Sequence, residues 1–137
     1  MRRADWEQAL ADYLDGKREA AFAWGVCDCA MFAAGAIKAM TGVDPAADIR
    51  GKYRSQAGAG RAIKQRGCAD LGEWVSGILE EIHPAHARRG DVVMDRGNLG
   101  ICSGQIAYFI GEENGEPGLV SRPVLECERA WRVPFSE

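Results

Sequence analysis

Apolar residues recur at helical spacing in the first part of the chain. Trp6 and Leu10 begin an apolar stripe that predicts a helix over residues 5–17. Asp5 and Gln8 stand three positions apart at its start, the spacing of a capping box. The chain is therefore expected to begin with an amphipathic helix.

A second helix is predicted over residues 28–40, because its apolar residues fall on one face and Gly42 follows its end. The residues on this face are Cys29, Phe32, Ala33, Ile37 and Met40. Two shorter helices are predicted over residues 57–65 and 71–82, and Gly67 separates them. Residues 42–51 are predicted to form a turn, so the front of the chain is expected to consist of helices joined by turns.

Beyond Arg89 the pattern changes to short apolar runs between glycine-rich turns. The runs cover residues 91–94, 99–102, 106–110, 118–121 and 130–133. Consecutive antiparallel strands are expected here. Helices that precede such a sheet define the α+β class. We predict a single domain, 1–137, whose helical part covers about 4–83 and whose strand-rich part covers about 89–134.

Composition and charge narrow the possible functions. The 137 residues are 47% hydrophobic and 27% charged, as in ordinary globular domains. A net charge of -3 argues against nucleic acid as a partner, because phosphate binding depends on a basic field. No run approaches the roughly 18 apolar residues of a membrane span, and the first residues lead into a polar segment. We therefore expect a protein made in the cytoplasm with no membrane span.

The cysteines do not predict a disulfide framework or a metal site. There are five of them, an odd number, and the chain has only two histidines, His83 and His86. Cys27 and Cys29 form one CxC pair, whereas structural zinc sites use two ligand pairs. A metal-binding interaction module that uses these cysteines and the histidines stays the weakest alternative. No cofactor and no metal ligand are predicted.

The segment before the second helix contains the candidate chemistry. Cys29 falls in the first turn of the predicted helix, where unpaired amides and the helix dipole favour the reactive thiolate. Asp28 precedes it as a helix cap, and its charge opposes ionisation of the thiol. Trp24 either lines a substrate groove or packs on the helix. Asp91 is the second groove candidate, or else it bonds backbone amides at a strand start.

These residues resemble the nucleophile motif of NlpC-type cell-wall cysteine peptidases, which have a papain-like fold. The matching positions are Trp24, Gly25, Asp28, Cys29 and Phe32. Residues 89–93 are similar to the family's glycine–aspartate strand, and residues 99–102 are similar to the strand that carries its histidine base. The resemblance implies Cys29 as the nucleophile position. It places Asn98 where the family has its histidine, and an amide cannot act as the base at neutral pH.

The chain also resembles small NlpC-like proteins of the tail tips of tailed phages and gene-transfer agents, in segments 40–47 and 50–53. This resemblance implies a virion location, other tail-tip and hub proteins as partners, and contact with peptidoglycan. We therefore expect a structural or accessory tail-tip protein whose catalytic apparatus has decayed. The alternative is an active peptidoglycan-cleaving peptidase or amidase that uses Cys29 with His83 or His86 as base.

Overall fold

The computed structural model describes residues 1–134, which form four helices followed by a six-stranded antiparallel sheet. The helices are α1 (Trp6–Gly16), α2 (Cys29–Thr41), α3 (Gln56–Gln65) and α4 (Leu71–Ser76). The strands are β1 (Glu80–Ile82), β2 (Val92–Asp95), β3 (Asn98–Ser103), β4 (Ile106–Glu113), β5 (Glu116–Pro123) and β6 (Arg129–Arg132). The predicted α+β class is therefore confirmed.

Helix α2 is the central helix of the fold. Asp28 caps it by accepting a hydrogen bond from the Met31 amide at 2.8 Å, and Gly42 ends it in the left-handed conformation. Most of its residues are buried, so it presents apolar surface on more than one face. Phe32 stacks against Tyr13 of α1 at 5.8 Å between ring centroids and belongs to the same core cluster as Ile101 of β3. Helix α2 therefore lies between α1 and the sheet.

The strand order in the sheet is β1-β6-β2-β3-β4-β5. Strands β2 to β5 follow one another as the predicted meander, with Ile101 opposite Tyr108 and Tyr108 opposite Ser121. Strand β6 departs from that order, because it returns across the sheet and pairs with both β2 and β1. The last strand in sequence therefore occupies an inner position.

The two faces of the sheet bury different side chains, as the period of two along a strand requires. Val92 and Ile101 face the helices and belong to the larger core. Val93 and Cys102 face the other side, in a smaller cluster that includes Val124 from the turn after β5. Alternation of this kind means that the sheet is covered on both faces.

The segment 71–82 is not one helix, contrary to the prediction. Helix α4 ends at Ser76, and Glu80–Ile82 forms strand β1, which pairs with β6. The sheet consequently begins at residue 80 rather than near 89, and the helical part ends earlier than predicted.

One smaller difference concerns the start of the chain. The Asp5 side chain makes no capping hydrogen bond, and the Gln8 amide donates to Asp12 instead, so the predicted capping box is wrong. The last residues of the predicted domain, 135–137, lie outside the described residues.

Within the described part, no helix has both the length and the apolar character needed to cross a membrane.

The packing of α2 leads to a first prediction. Phe32 is 1% exposed, so Phe32→Ala should lower the free energy of unfolding by about 3 to 5 kcal/mol in denaturant melts. The matched control is Phe22→Ala, because Phe22 is 44% exposed and its truncation should cost well under about 1 kcal/mol. Equal losses for the two variants would contradict the burial of Phe32 between helix and sheet.

Candidate functional site

A groove of about 320 Å³ lies where the start of α2, helix α3 and the turn between β2 and β3 meet. Three of the residues singled out from sequence, Trp24, Cys29 and Asn98, line it together with Asp28. The opposite wall comes from residues that the sequence did not indicate. These are Tyr53, Gln56, Lys64 and Asp70. The fold thus brings together four of the five predicted site residues.

Cys29 is the first residue of α2 and is half-buried at the groove. Burial raises the pKa of its thiol above the ordinary value, and the nearby charge of Asp28 raises it further. Hydrogen bonds from backbone amides, of which that of Leu99 is the strongest, lower the pKa without reversing the balance. The thiol is therefore protonated at neutral pH. Because Leu99 follows Asn98, its amide also shows that the thiol lies against the start of β3.

Asp28 is 2% exposed, and its two carboxylate oxygens hold three separate parts of the site. One oxygen accepts from the Met31 amide at 2.8 Å, inside α2. The other accepts from the Gly25 amide at 2.8 Å and from the Tyr53 hydroxyl at 2.6 Å. Burial and this bond to Asp28 raise the pKa of Tyr53, which therefore stays a hydrogen-bond donor. These bonds give Asp28 a positioning role and leave it no part in proton transfer.

The chain before α2 turns sharply, and the turn sets the position of Trp24. Ala23 and Cys27 pair as an isolated bridge, and Gly25 between them has φ +79°. A Cβ at Gly25 would also collide with the backbone carbonyl of Tyr53, so glycine is required for two reasons. Trp24 is half-buried, packs against the core and meets Phe22 edge to face at 4.7 Å. It therefore both packs and lines the groove, which combines the two interpretations of this residue.

Asn98 is the first residue of β3 and lies opposite Asp95, just after the turn at Arg96 and Gly97. It is exposed at the rim of the groove. The groove therefore has an amide at the position that the NlpC resemblance assigns to a base.

The two histidines do not line the groove. His83 precedes the short 3-10 turn Pro84–His86, which leads into the start of β2, whereas the groove lies beside the turn that follows β2. His83 accepts a hydrogen bond from the Ala85 amide at 3.0 Å, and the backbone carbonyl of His86 accepts from Arg132. Neither imidazole is in place to take the proton of Cys29.

Asp91 lies away from the groove and is fully buried. Its carboxylate accepts from the side chains of Arg2 and Arg132 at 3.0 Å each, and from the amides of Arg88 and Val133. Four donors leave it no capacity to bind a substrate. Its position thus favours the backbone-bonding interpretation over that of a groove residue.

Across residues 1–134, no three His, Cys, Asp or Glu side chains come together in a group that could hold a metal ion. Cys27 is buried in the core, and none of the cysteines forms a disulfide in the described part. These findings weigh against the metal-binding alternative.

Fold and site together define an α+β domain with a helix-terminal cysteine in a groove between helices and sheet. The chain belongs to the family described as a domain of unknown function, DUF6950, which matches residues 1–133. No curated protein and no solved structure matches the chain.

The raised pKa of Cys29 leads to a second prediction. The alkylation rate of Cys29, followed by peptide-resolved mass spectrometry, should stay low at neutral pH and rise only at a pH above the ordinary pKa of a thiol, because the thiolate reacts and the thiol does not. Cys68, for which burial is also partial, provides an internal comparison in the same protein. A titration midpoint for Cys29 below about pH 7 would show instead an activated nucleophile.

Proposed function

We propose that this protein is a non-hydrolysing, accessory component of a phage tail tip, built on a degenerate NlpC-like, papain-like fold. One observation carries the proposal: Cys29 and Asn98 line the same groove, and neither of the two histidines, both of them in the described part of the chain, joins them there. On this proposal the groove is a former nucleophile site that lacks the base needed to activate the thiol.

The position of Cys29 supports descent from a peptidase. A cysteine at the first residue of a helix, with a backbone amide of the neighbouring strand donating to its sulfur, is arranged for thiolate chemistry. A thiol that served only to fill the core would need neither the helix terminus nor the groove.

The surroundings of that thiol support loss of activity. A general base must lie within about 3 Å of the proton that it removes, and Asn98 has no basic atom to offer. Lys64 on the opposite wall is exposed and comes from α3, not from the strand on which the resemblance places the base. The thiol therefore stays protonated and unreactive towards an amide bond.

The tail-tip assignment rests on the resemblance of segments 40–47 and 50–53 to small phage tail-tip proteins. The structure adds a compatible property, because the groove is retained as a surface feature although its chemistry is incomplete. A retained groove can still bind a partner segment or peptidoglycan without cutting it.

The third prediction tests the loss of the base. Purified protein should show no Cys29-dependent release of peptides from muropeptides, since loss of acid–base assistance costs about 10² to 10⁴ in rate.

The same loss can be tested by restoring a base. Asn98→His should increase the alkylation rate of Cys29 at pH 7, because an imidazole beside the sulfur stabilises its thiolate. Asn98→Gln is the matched control and should leave the rate unchanged.

Two results would contradict this account. Hydrolysis of muropeptides by the wild-type protein, abolished in Cys29→Ser, would show an active peptidase. Equal alkylation of Asn98→His and Asn98→Gln would show that residue 98 does not occupy the position of the base.

The fourth prediction tests the location. In a phage that encodes this chain, an epitope-tagged copy should co-purify with virions, and immunogold electron microscopy should place the label at the tail tip. A cytosolic protein with the same tag is the control for non-specific co-purification with virions. Label confined to unassembled material in the lysate would argue against a virion component.

A further inference from the structure

A second surface adjoins the cysteine groove, shares Ile49 and Tyr53 with it, and has a strong local charge. It is a hollow of about 720 Å³ formed by the loop before α3 and by one side of that helix. Four cations and one carboxylate line it, although the whole chain has a net charge of -3. The charged residues are Lys52, Arg54, Arg61, Arg66 and Asp48. We call this surface the cationic hollow.

Most of the charge in the cationic hollow is not neutralised by the protein itself. Arg66 is paired with Asp48 at 2.7 Å. Lys52, Arg54 and Arg61 are exposed and have no ion pair with any residue in the range 1–134. Like charges held together on a concave surface repel one another and attract an anionic group.

The opposite charge is concentrated at the tip of the β4–β5 hairpin. Glu113 at the end of β4 lies directly opposite Glu116 at the start of β5, and Glu112 precedes them. Like charges directly opposite on paired strands destabilise a hairpin. All three glutamates are exposed, and in the described part of the chain none is paired with a cation. We call this element the acidic tip.

The acidic tip also has a tight turn. Asn114 and Gly115 form its two-residue turn, both with positive φ, as in the tight turns that match the twist of a hairpin. A preorganised tip loses little conformational entropy when it docks. The charge of the acidic tip is therefore opposite to that of the cationic hollow, and the tip ends in a narrow two-residue turn.

We propose that the acidic tip of one copy of this chain docks into the cationic hollow of a second copy. The tip and the hollow lie on different elements and form no ion pair with each other within one copy. Because the two surfaces differ, the contact is head-to-tail, and repetition gives a closed ring or an open filament according to the rotation between copies. The repulsion between Glu113 and Glu116 across the two strands is then reduced by the arginines of the second copy.

The fifth prediction tests this contact by sedimentation at several protein concentrations. The average mass should rise with concentration at about 0.05 M salt and return to that of a monomer at about 0.5 M, where exposed charges are screened within a few ångströms. The tip variant Glu113→Lys/Glu116→Lys should stay monomeric in low salt. So should the hollow variant Arg54→Glu/Arg61→Glu.

An equal mixture of the two variants provides the decisive measurement. Lysines on one tip then meet glutamates in the other copy's hollow, and the unchanged tip and hollow also attract, so association should return. This recovery also shows that both variants are folded. The control variant Glu7→Lys/Glu80→Lys makes the same change in net charge as the tip variant, at exposed sites elsewhere, and should associate like the wild type.

Three outcomes would overturn the proposal. They are a wild-type protein that stays monomeric in low salt, a variant mixture that does not associate, and a control variant that loses association with the others. A monomeric wild type that binds hexaglutamate, with binding lost in Arg54→Glu/Arg61→Glu, would assign the hollow to an acidic partner other than a second copy.

Discussion

The buried carboxylate of Asp28 is the interaction on which the cysteine groove depends. A single side chain accepts hydrogen bonds from the turn before α2, from the first turn of α2 itself and from the loop that leads to α3. A buried carboxylate is costly unless it is well hydrogen-bonded, so these three donors must converge on it for the fold to be stable. The position of Cys29 follows from that convergence. The same carboxylate works against ionisation of the thiol that it positions.

A second buried carboxylate has the corresponding role at the other end of the sheet. Asp91 joins the N-terminal segment, through Arg2, to the strand that carries Arg132. Arg2 also donates to the carbonyl of Val133 at 3.1 Å, so the beginning and the end of the described chain are fixed to the same point. Asp91 thus ties the segment before α1 to the sheet, whereas Asp28 ties parts of the helical region to one another.

Features that are set by residues close together in the sequence were predictable. The bounds of α2 follow from Asp28 and Gly42, which act within a few residues of their own position. The hairpins between β2 and β5 follow from short apolar runs between glycines. The encounter of Cys29 with Asn98 was inferred from resemblance, and the two residues do line one groove.

Features that depend on contacts between residues far apart in the sequence were not predictable. Residues 78–82 match a helical spacing, and what makes Glu80–Ile82 a strand is the edge of β6, about fifty positions later. Tyr53 is in an irregular loop whose sequence gives no sign that its hydroxyl reaches Asp28. The burial of Asp91 depends on arginines from both ends of the chain. In each case the deciding partner lies outside any window that a local pattern can cover.

The inner position of β6 has a consequence for how the chain acquires its structure. Strand β1 has no partner except β6, and β2 keeps one unpaired edge until β6 arrives. The meander of β2 to β5 can form early because its contacts are local, whereas closure of β1 onto β6 carries the entropic cost of a long loop. During synthesis on the ribosome, the nascent chain must therefore expose the edges of β1 and β2 until Arg129–Arg132 has emerged. That interval is when the protein is most open to strand-mediated aggregation.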